Sequence, residues 1–268
     1  MSPAGTTFAG TSARRDRDWA ESWQRSWDVQ QEGYMPDREQ RLAALLDVVE
    51  AVAGSSPGAR PLVLDLACGT GSITRRLLER FPSARSIAVD IDPALLAIAE
   101  ATFAGDERVR LVEADLASPG WLHALPETPV DAVVTATALH WLGEPLLRRV
   151  YRDLLGVVRP GGAVANVDLM RPADLPRLGE LLHAVEVRST ERVRSDGRPD
   201  WHAWWDIAAA DPLLVDAVAE RRTRFGVDHL DFDPPSQWHA DALLDAGFAE
   251  AGVTWRSGTH ALVAALAP

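Results

Sequence analysis

Ten residues, Val63 to Ser72, carry the densest chemical signal in the chain. An apolar run ends in Asp65-Leu66-Ala67-Cys68, and Gly69-Thr70-Gly71-Ser72 follows. This reads as a strand running into a small-residue loop and then a helix. Gly69 and Gly71 let the backbone come close to a ligand, and the helix start offers free N–H groups. Dinucleotide enzymes have such loops too, so the loop alone selects no ligand. Two details point away from NAD. An acid, Asp65, precedes the glycines, and Gly69-x-Gly71-x-x-Thr74 ends in Thr where the dinucleotide fingerprint has Gly or Ala. Further along, His140 and Trp141 close the fourth predicted strand. A histidine titrating near neutrality can take a proton from a hydroxyl, an amine or an activated carbon. His140 therefore reads either as a general base or orienting donor, or as a cleft-lining residue that fixes a loop. Trp141 reads as a wall of the pocket.

Other chemistries lack their residues. The histidines His183, His202, His229, His239 and His260 show no H-E-x-x-H spacing, and the single Cys68 cannot build a thiolate zinc site. There is no G-x-S-x-G elbow and no phosphate loop of the G-x-x-x-x-G-K-[ST] type. All 27 basic residues are Arg, which excludes a lysine Schiff base.

The elements that must position these residues alternate. Short apolar strands are predicted at 62–66, 86–90, 109–113, 131–135 and 162–168, with helices between them. Near-continuous apolar strands separated by helices imply a parallel sheet covered on both faces. Two helices precede the first strand, at 16–31 and 37–53. In the first, Trp19, Trp23 and Trp27 recur every four residues and share a face. That face either docks on the core or covers a ligand cleft. Residues 170–235 break the rhythm and read as a helical insertion containing Trp201, Trp204 and Trp205. A helix capped by Gly247 and a hairpin around Ser257-Gly258 end the chain.

From Asp65 onward the motifs resemble those of class I S-adenosylmethionine-dependent methyltransferases, of the small-molecule type. Asp65-Leu-Ala-Cys-Gly-Thr-Gly71 resembles the first motif of that family, with Ala67 replacing the first of its three glycines. Ala88-Val-Asp-Ile-Asp-Pro93, Glu113-Ala-Asp-Leu116, Asp131 to Trp141 and Val158-Arg-Pro-Gly-Gly-Ala163 resemble the next pieces, in order. The resemblance implies S-adenosyl-L-methionine as cofactor, bound by Asp65, Ala67, Cys68, Gly69, Gly71, Asp90, Ile91, Asp115 and Leu116. In it Asp90 holds the ribose hydroxyls, a role its two acceptor oxygens suit. It also lies close to the ~20-residue spacing that a ribose-binding acid keeps in such folds. Asp115 meets the adenine amine, and Ile91 packs on the ring beside Leu116. Asp65 either supports the loop or faces the methionine ammonium. His140 would stand beside the transferred methyl, and Tyr34, Trp141, Trp201 and Trp204 are candidates to line the acceptor pocket.

The expected architecture is α/β: a doubly wound, Rossmann-like, seven-stranded and mostly parallel sheet with an antiparallel last strand, N-terminal helices and a helical lid insertion. The expected divisions are a disordered tail (1–13) and one domain (14–268). That domain comprises cap helices (14–60), a cofactor-binding core (61–169), a substrate lid (170–235) and a terminal helix with hairpin (236–268). A net charge of -12 argues against a partner that is tracked along its phosphates, as nucleic acid is. No apolar run reaches ~18 residues, so no membrane partner is expected. The N-terminus does not read as a signal peptide, which makes a cytoplasmic protein the default. The expected function is methyl transfer to an O, N or acidic C of a small-molecule acceptor. Two other classes stay open: a nicotinamide-dependent oxidoreductase, and a non-catalytic S-adenosylmethionine-binding protein.

Overall fold

The computed structural model describes residues 15–35, 37–54, 60–194, 197–225 and 232–268. The tail expected over 1–13, and His229, lie outside the described residues. Two helices open the fold, α1 (Arg17–Glu32) and α2 (Arg38–Ala53). Strand and helix then alternate through β1 (Leu62–Leu66), α3 (Ser72–Arg80), β2 (Arg85–Asp90), α4 (Pro93–Thr102), β3 (Val109–Glu113), β4 (Val130–Ala136), α5 (Glu144–Leu155) and β5 (Val158–Leu169). Three helices follow: α6 (Pro176–Arg194), α7 (Trp201–Ala210) and α8 (Val215–Phe225). The chain ends in α9 (Ser236–Ala246), β6 (Glu250–Ser257) and β7 (His260–Leu266).

Local sequence explains the helix boundaries. Asp16, Asp92 and Asp200 cap α1, α4 and α7 by accepting backbone N–H groups of the first turn. Pro93 stands at the first position of α4, where its missing N–H costs nothing. Gly247 ends α9 in the left-handed region at φ 107°.

The sheet order is β3-β2-β1-β4-β5-β7-β6. Strands β1 to β5 are parallel, and β7 runs antiparallel between β5 and β6. The order reverses beside β1, which pairs with both β2 and β4. Ligands of open α/β sheets bind outside the carboxyl ends of the strands at such a switch point, and the glycine loop after β1 lies there. One strand is longer than the sequence pattern predicts. β5 begins at Val158, which pairs with Val130; a register shift follows across Pro160-Gly161-Gly162, with Gly161 at φ 67°, and the ladder resumes at Ala163 against Ala132. A Cβ on Gly162 would lie 2.6 Å from the Asp131 carbonyl oxygen, so only glycine fits.

Apolar side chains fill both faces of the sheet. One face packs α5 and α9 over Leu64, Val133, Val164 and Val263. The other packs α2 and α3 over Val63, Val134, Ala165 and Leu262. A third cluster lies off the sheet. Trp23 and Trp27 of α1, Trp204 and Trp205 of α7, and Leu95 and Ile98 of α4 pack together there. It roofs the carboxyl ends of the strands. The Trp repeat of α1 thus has two uses: Trp19 and Trp23 donate their indole N–H to one Asp211 oxygen, at 2.9 and 2.8 Å, while Trp27 borders the cleft beneath.

Candidate active site

A cleft of about 1000 Å³ opens along the carboxyl edge of the sheet. At one end it is walled by the turns after β1, β2 and β3. Ala67, Cys68 and Gly69 come from the first turn, Asp90, Ile91 and Asp92 from the second, and Ala114, Asp115 and Leu116 from the third. Ala67 and Gly69 both have φ 56°, and Thr137, after β4, has φ 51°. Ala67 and Thr137 are the non-glycine residues with positive φ among the described ones, and both line the cleft. Such backbone strain persists only where the surroundings enforce it, commonly at functional sites.

Asp90 organises this end. Its Oδ2 accepts the Gly69 N–H at 2.7 Å, and its Oδ1 accepts those of Ile91 and Asp92 at 2.7 and 2.8 Å. One carboxylate therefore clamps the glycine loop to the turn after β2. Burial pushes its pKa up to about 6, against the pull of those N–H groups. Asp115 is exposed, its Oδ1 accepting the Ala117 N–H. Leu116 is buried beside it. Burial, then the Asp90 and Asp65 charges, raise the pKa of the Cys68 thiol, so it is neutral and not a nucleophile.

Two residues expected to touch the cofactor stand behind the loop. Asp65 is fully buried and does not line the cleft. Its Oδ2 accepts the N–H and hydroxyl of Thr74 at 3.0 and 2.7 Å, which ties β1 to the first turn of α3. Of its two sequence readings, support of the loop is the one this geometry fits. Gly71 also lies off the cleft. It caps α3 at φ 81°, where a Cβ would sit 2.4 Å from the Phe103 ring.

The other end is built from distant parts of the chain. His140 sits on the short 3-10 turn Leu139–Trp141 that follows β4. Its Nδ1 lies 3.0 Å from both carboxylate oxygens of Asp168, near the end of β5. Asp168 is 3% exposed; burial pushes its pKa up, but the neighbouring His140 holds it below the ordinary value. Trp141 lies between His140 and Trp201, with ring centroids 5.8 and 6.4 Å away. The Tyr34 hydroxyl accepts the Trp201 backbone N–H at 2.8 Å, tying α7 to the chain after α1. Trp204, expected in the acceptor pocket, is 1% exposed and turned into the roof, where its ring meets Trp23, Trp27 and Trp205.

Sequence reasoning missed several cleft residues. Asp168 was legible only as the end of a strand, though the strand-end rule that singled out Asp90 applies to it equally. Glu186 of α6 holds the Thr259 backbone N–H and hydroxyl and lies 4.0 Å from His260. The hairpin turn takes Gly258 at φ 54° because a Cβ there would overlap the Glu186 carboxylate. His260 titrates at about 4, through burial first and then the Arg41 charge, so it is neutral at pH 7. From α1, Gln24 donates to the Ser72 hydroxyl, which donates to Asp28 at 3.0 Å. The roof is thereby fastened to the glycine loop.

Comparison with known proteins finds methyltransferases. Residues 63–162 match the family described as "Methyltransferase domain". Trans-aconitate 2-methyltransferase of Azoarcus sp. strain BH72 is 32% identical over 151 residues, 56% of this chain and 53% of that protein. Malonyl-[acyl-carrier protein] O-methyltransferase of Paenibacillus sp. strain JDR-2 is 30% identical over 106 residues, 39% of this chain and 37% of that one. The chain thus spans about half or less of the length of these curated relatives. Human N-acetylserotonin methyltransferase, solved in complex with SAM, shares the fold with a TM-score of 0.52 over 93% of this chain and 55% of that one, at 15% identity. No helix among the described residues is long and apolar enough to cross a membrane. The match to the methyltransferase family spans residues 63–162 and so includes the turns after β1, β2, β3 and β4 that wall the cleft.

Proposed function

We propose that the protein transfers the methyl group of S-adenosylmethionine to a small molecule. The single observation that carries this reading is the continuity of the cleft. A nucleoside-sized end ringed by Asp90, Ile91, Asp115 and Leu116 runs without a break into a roofed end holding His140 and Trp141. Asp90 fits a ribose hydroxyl because its Oδ2, which accepts only the Gly69 N–H, keeps a lone pair, while its Oδ1 already accepts two backbone N–H groups. Ile91 and Leu116 offer apolar contact to adenine, and Asp115 an acceptor for its amine. The loop offers only the small residues Ala67, Cys68 and Gly69 to the cleft, which leaves room for the methionine part. Asp65 holds that loop from behind.

The bound cofactor supplies an already activated methyl on a sulfonium, so the protein's part is alignment and exclusion of water. Trp27, Trp141, Trp201 and Tyr34 do the excluding. Residues 170–235, which contribute α6 to α8, act as the acceptor lid over this end. Six acids against four arginines among the described cleft residues favour a small-molecule acceptor over nucleic acid.

Calorimetric titration with S-adenosylmethionine and its demethylated product tests the cofactor end. Both bind the wild type, and Asp90→Ala binds them weakly while keeping its melting transition. Transfer of labelled methyl to a panel of metabolites tests the activity. Binding without transfer to any acceptor would leave a cofactor-binding protein and end the proposal.

A further inference from the structure

We infer that Arg149 of α5 is a positioning residue for the base of the cofactor: it holds the turn after β3 so that Asp115 meets the adenine amine and the site rejects a purine with an oxygen in that place. This deepens the methyltransferase reading and rests on it.

The turn Ala114-Asp115-Leu116-Ala117-Ser118 holds itself by local bonds. Asp115 Oδ1 accepts the Ala117 N–H at 2.7 Å, and the Asp115 carbonyl accepts the Ser118 N–H at 2.9 Å. A third bond, from the Ala114 N–H to the Asp90 carbonyl at 2.9 Å, anchors only the start of the turn. Asp115 itself is exposed, so water competes for its carboxylate.

Arg149 reaches this turn from 33 residues away. Its Nη2 donates to the Leu116 carbonyl at 2.6 Å and to the Ala117 carbonyl at 2.9 Å. The Leu116 carbonyl and the Ala117 N–H belong to one peptide group, which is planar. Holding the oxygen therefore fixes the direction of the N–H, and that N–H is the one Asp115 Oδ1 accepts. A cation on the carbonyl also polarises the peptide and strengthens the N–H as a donor. Arg149 thus sets where the Asp115 carboxylate stands without touching it. The bond to Ala117 uses Oδ1 and leaves Oδ2 to receive an amine.

This contact is not a by-product of ion pairing along α5. Asp153 lies one helical turn on, the spacing at which such pairs close. Yet the Arg149 Nε stays 3.9 Å from it, and Asp153 accepts the Trp121 indole N–H at 3.0 Å instead. The Nε is buried and makes no hydrogen bond. A buried donor left unpaired is rare enough to need a reason. Here the reason is that the guanidinium is turned toward two uncharged carbonyls.

The consequence is selectivity at the base. An amine donates to Asp115, whereas the carbonyl oxygen of hypoxanthine in the same place is an acceptor and is repelled. A carboxylate that swings into solvent would lose the attraction and the repulsion together. Ile91 and Leu116 offer the same apolar contact to both bases, so they do not discriminate.

The probes are S-adenosylhomocysteine, the demethylated product, and its hypoxanthine analogue S-inosylhomocysteine, each titrated calorimetrically into the full chain. The wild type is expected to prefer adenine by at least about tenfold. Asp115→Asn, whose amide can donate to oxygen, should bring the preference close to one. Arg149→Met keeps the apolar stem without donors, and should lower the preference to under about threefold. Arg149→Lys keeps a donor for a carbonyl, and should stay within about twofold of the wild-type preference. The readout is a ratio measured on one preparation, so a smaller folded fraction does not imitate it. Should Arg149→Met fail to fold, Arg149→Gln, whose shorter amide stops short of the turn, takes its place with the same expectation. A wild-type preference retained without the guanidinium overturns the positioning role, and so does a Lys variant as poor as Met. A wild type that binds both probes equally overturns the part given to Asp115, and that of Arg149 with it, while leaving the methyltransferase reading in place. A wild type that binds neither probe strikes the methyltransferase reading itself.

Discussion

The two ends of the cleft are built by opposite means. The end proposed for the cofactor uses residues 65 to 116, and its contacts run between neighbouring turns. Asp90 grips three backbone N–H groups and Asp65 grips Thr74. The acceptor end is assembled from Trp27, Tyr34, His140, Asp168, Glu186, Trp201 and His260, spread over most of the chain. Under the proposed function, an end held by local hydrogen bonds at strand ends can stay the same whatever the acceptor. Side chains on separate helices make the other end easy to rebuild for a new acceptor. If that division is real, damage to one end leaves the other working.

Trp204→Ala attacks the acceptor roof with the largest expected effect. The side chain is 1% exposed and its indole N–H donates to Ser26. Truncating a buried Trp costs about 3–5 kcal/mol of stability. Chemical denaturation measures the loss. The division predicts that affinity for S-adenosylhomocysteine changes less than about tenfold, while acceptor turnover collapses. A cofactor end that also fails would show that the roof and the glycine loop act as one unit, coupled through Gln24, Asp28 and Ser72.

Asp90→Ala attacks the other end. A loss of about 100-fold in S-adenosylhomocysteine affinity, or ~2.8 kcal/mol, is expected by calorimetry. The aromatic and His140 side of the cleft should keep its fluorescence and its NMR titration. Asp90→Asn keeps one carbonyl acceptor and should lose less. Unchanged affinity in both variants would remove Asp90 from the site.

The same division explains what could be read from the sequence. The strand ends were legible because apolar runs, glycines and acids sit within a few residues of one another. The start of β5 was not, because Pro160-Gly161-Gly162 has the composition of a loop, yet lies inside the strand as an irregularity between the pairs Val158–Val130 and Ala163–Ala132. Helical spacing put Trp201, Trp204 and Trp205 near one another but could not say which face met the cleft. Trp201 does, while Trp204 fills the roof. Pairs such as His140 with Asp168, or Glu186 with the hairpin turn, join segments that only tertiary packing brings together. No local pattern marks them.

A pH experiment sharpens the picture of the cofactor end. Burial, opposed by the Thr74 donors, pushes the Asp65 pKa up to about 7. The folded state therefore holds this proton where the unfolded chain has lost it, and its contribution to stability falls as pH rises from about 4 through about 7. His239 and His260 do the reverse. Both titrate at about 4 when folded, below the ordinary 6.5, so their contribution rises with pH over the same range. The wild-type curve mixes these opposing slopes, and only a difference isolates Asp65. Asp65→Asn should gain on the wild type by roughly 2 kcal/mol between pH 4.5 and 7.5. That is about half the bare conversion of three pKa units, because buried sites relax. Urea midpoints at several pH values measure it, and a difference independent of pH would mean that Asp65 titrates normally.

The smallest expected effect tests whether the loop's backbone strain belongs to function. Ala67 sits at φ 56°, a region that disfavours any side chain by about 1–2 kcal/mol. Glycine there would relieve that strain, offset by the greater freedom of glycine in the unfolded chain, about 0.4–1 kcal/mol. Ala67→Gly should therefore stabilise the protein by up to about 1 kcal/mol, seen as a raised melting temperature. Because the loop is already held by Asp65 and Asp90, affinity for S-adenosylhomocysteine should stay within about threefold. A stabilised variant with much weaker binding would show that the alanine methyl itself shapes the cofactor end, and the loop could then not be described as backbone alone.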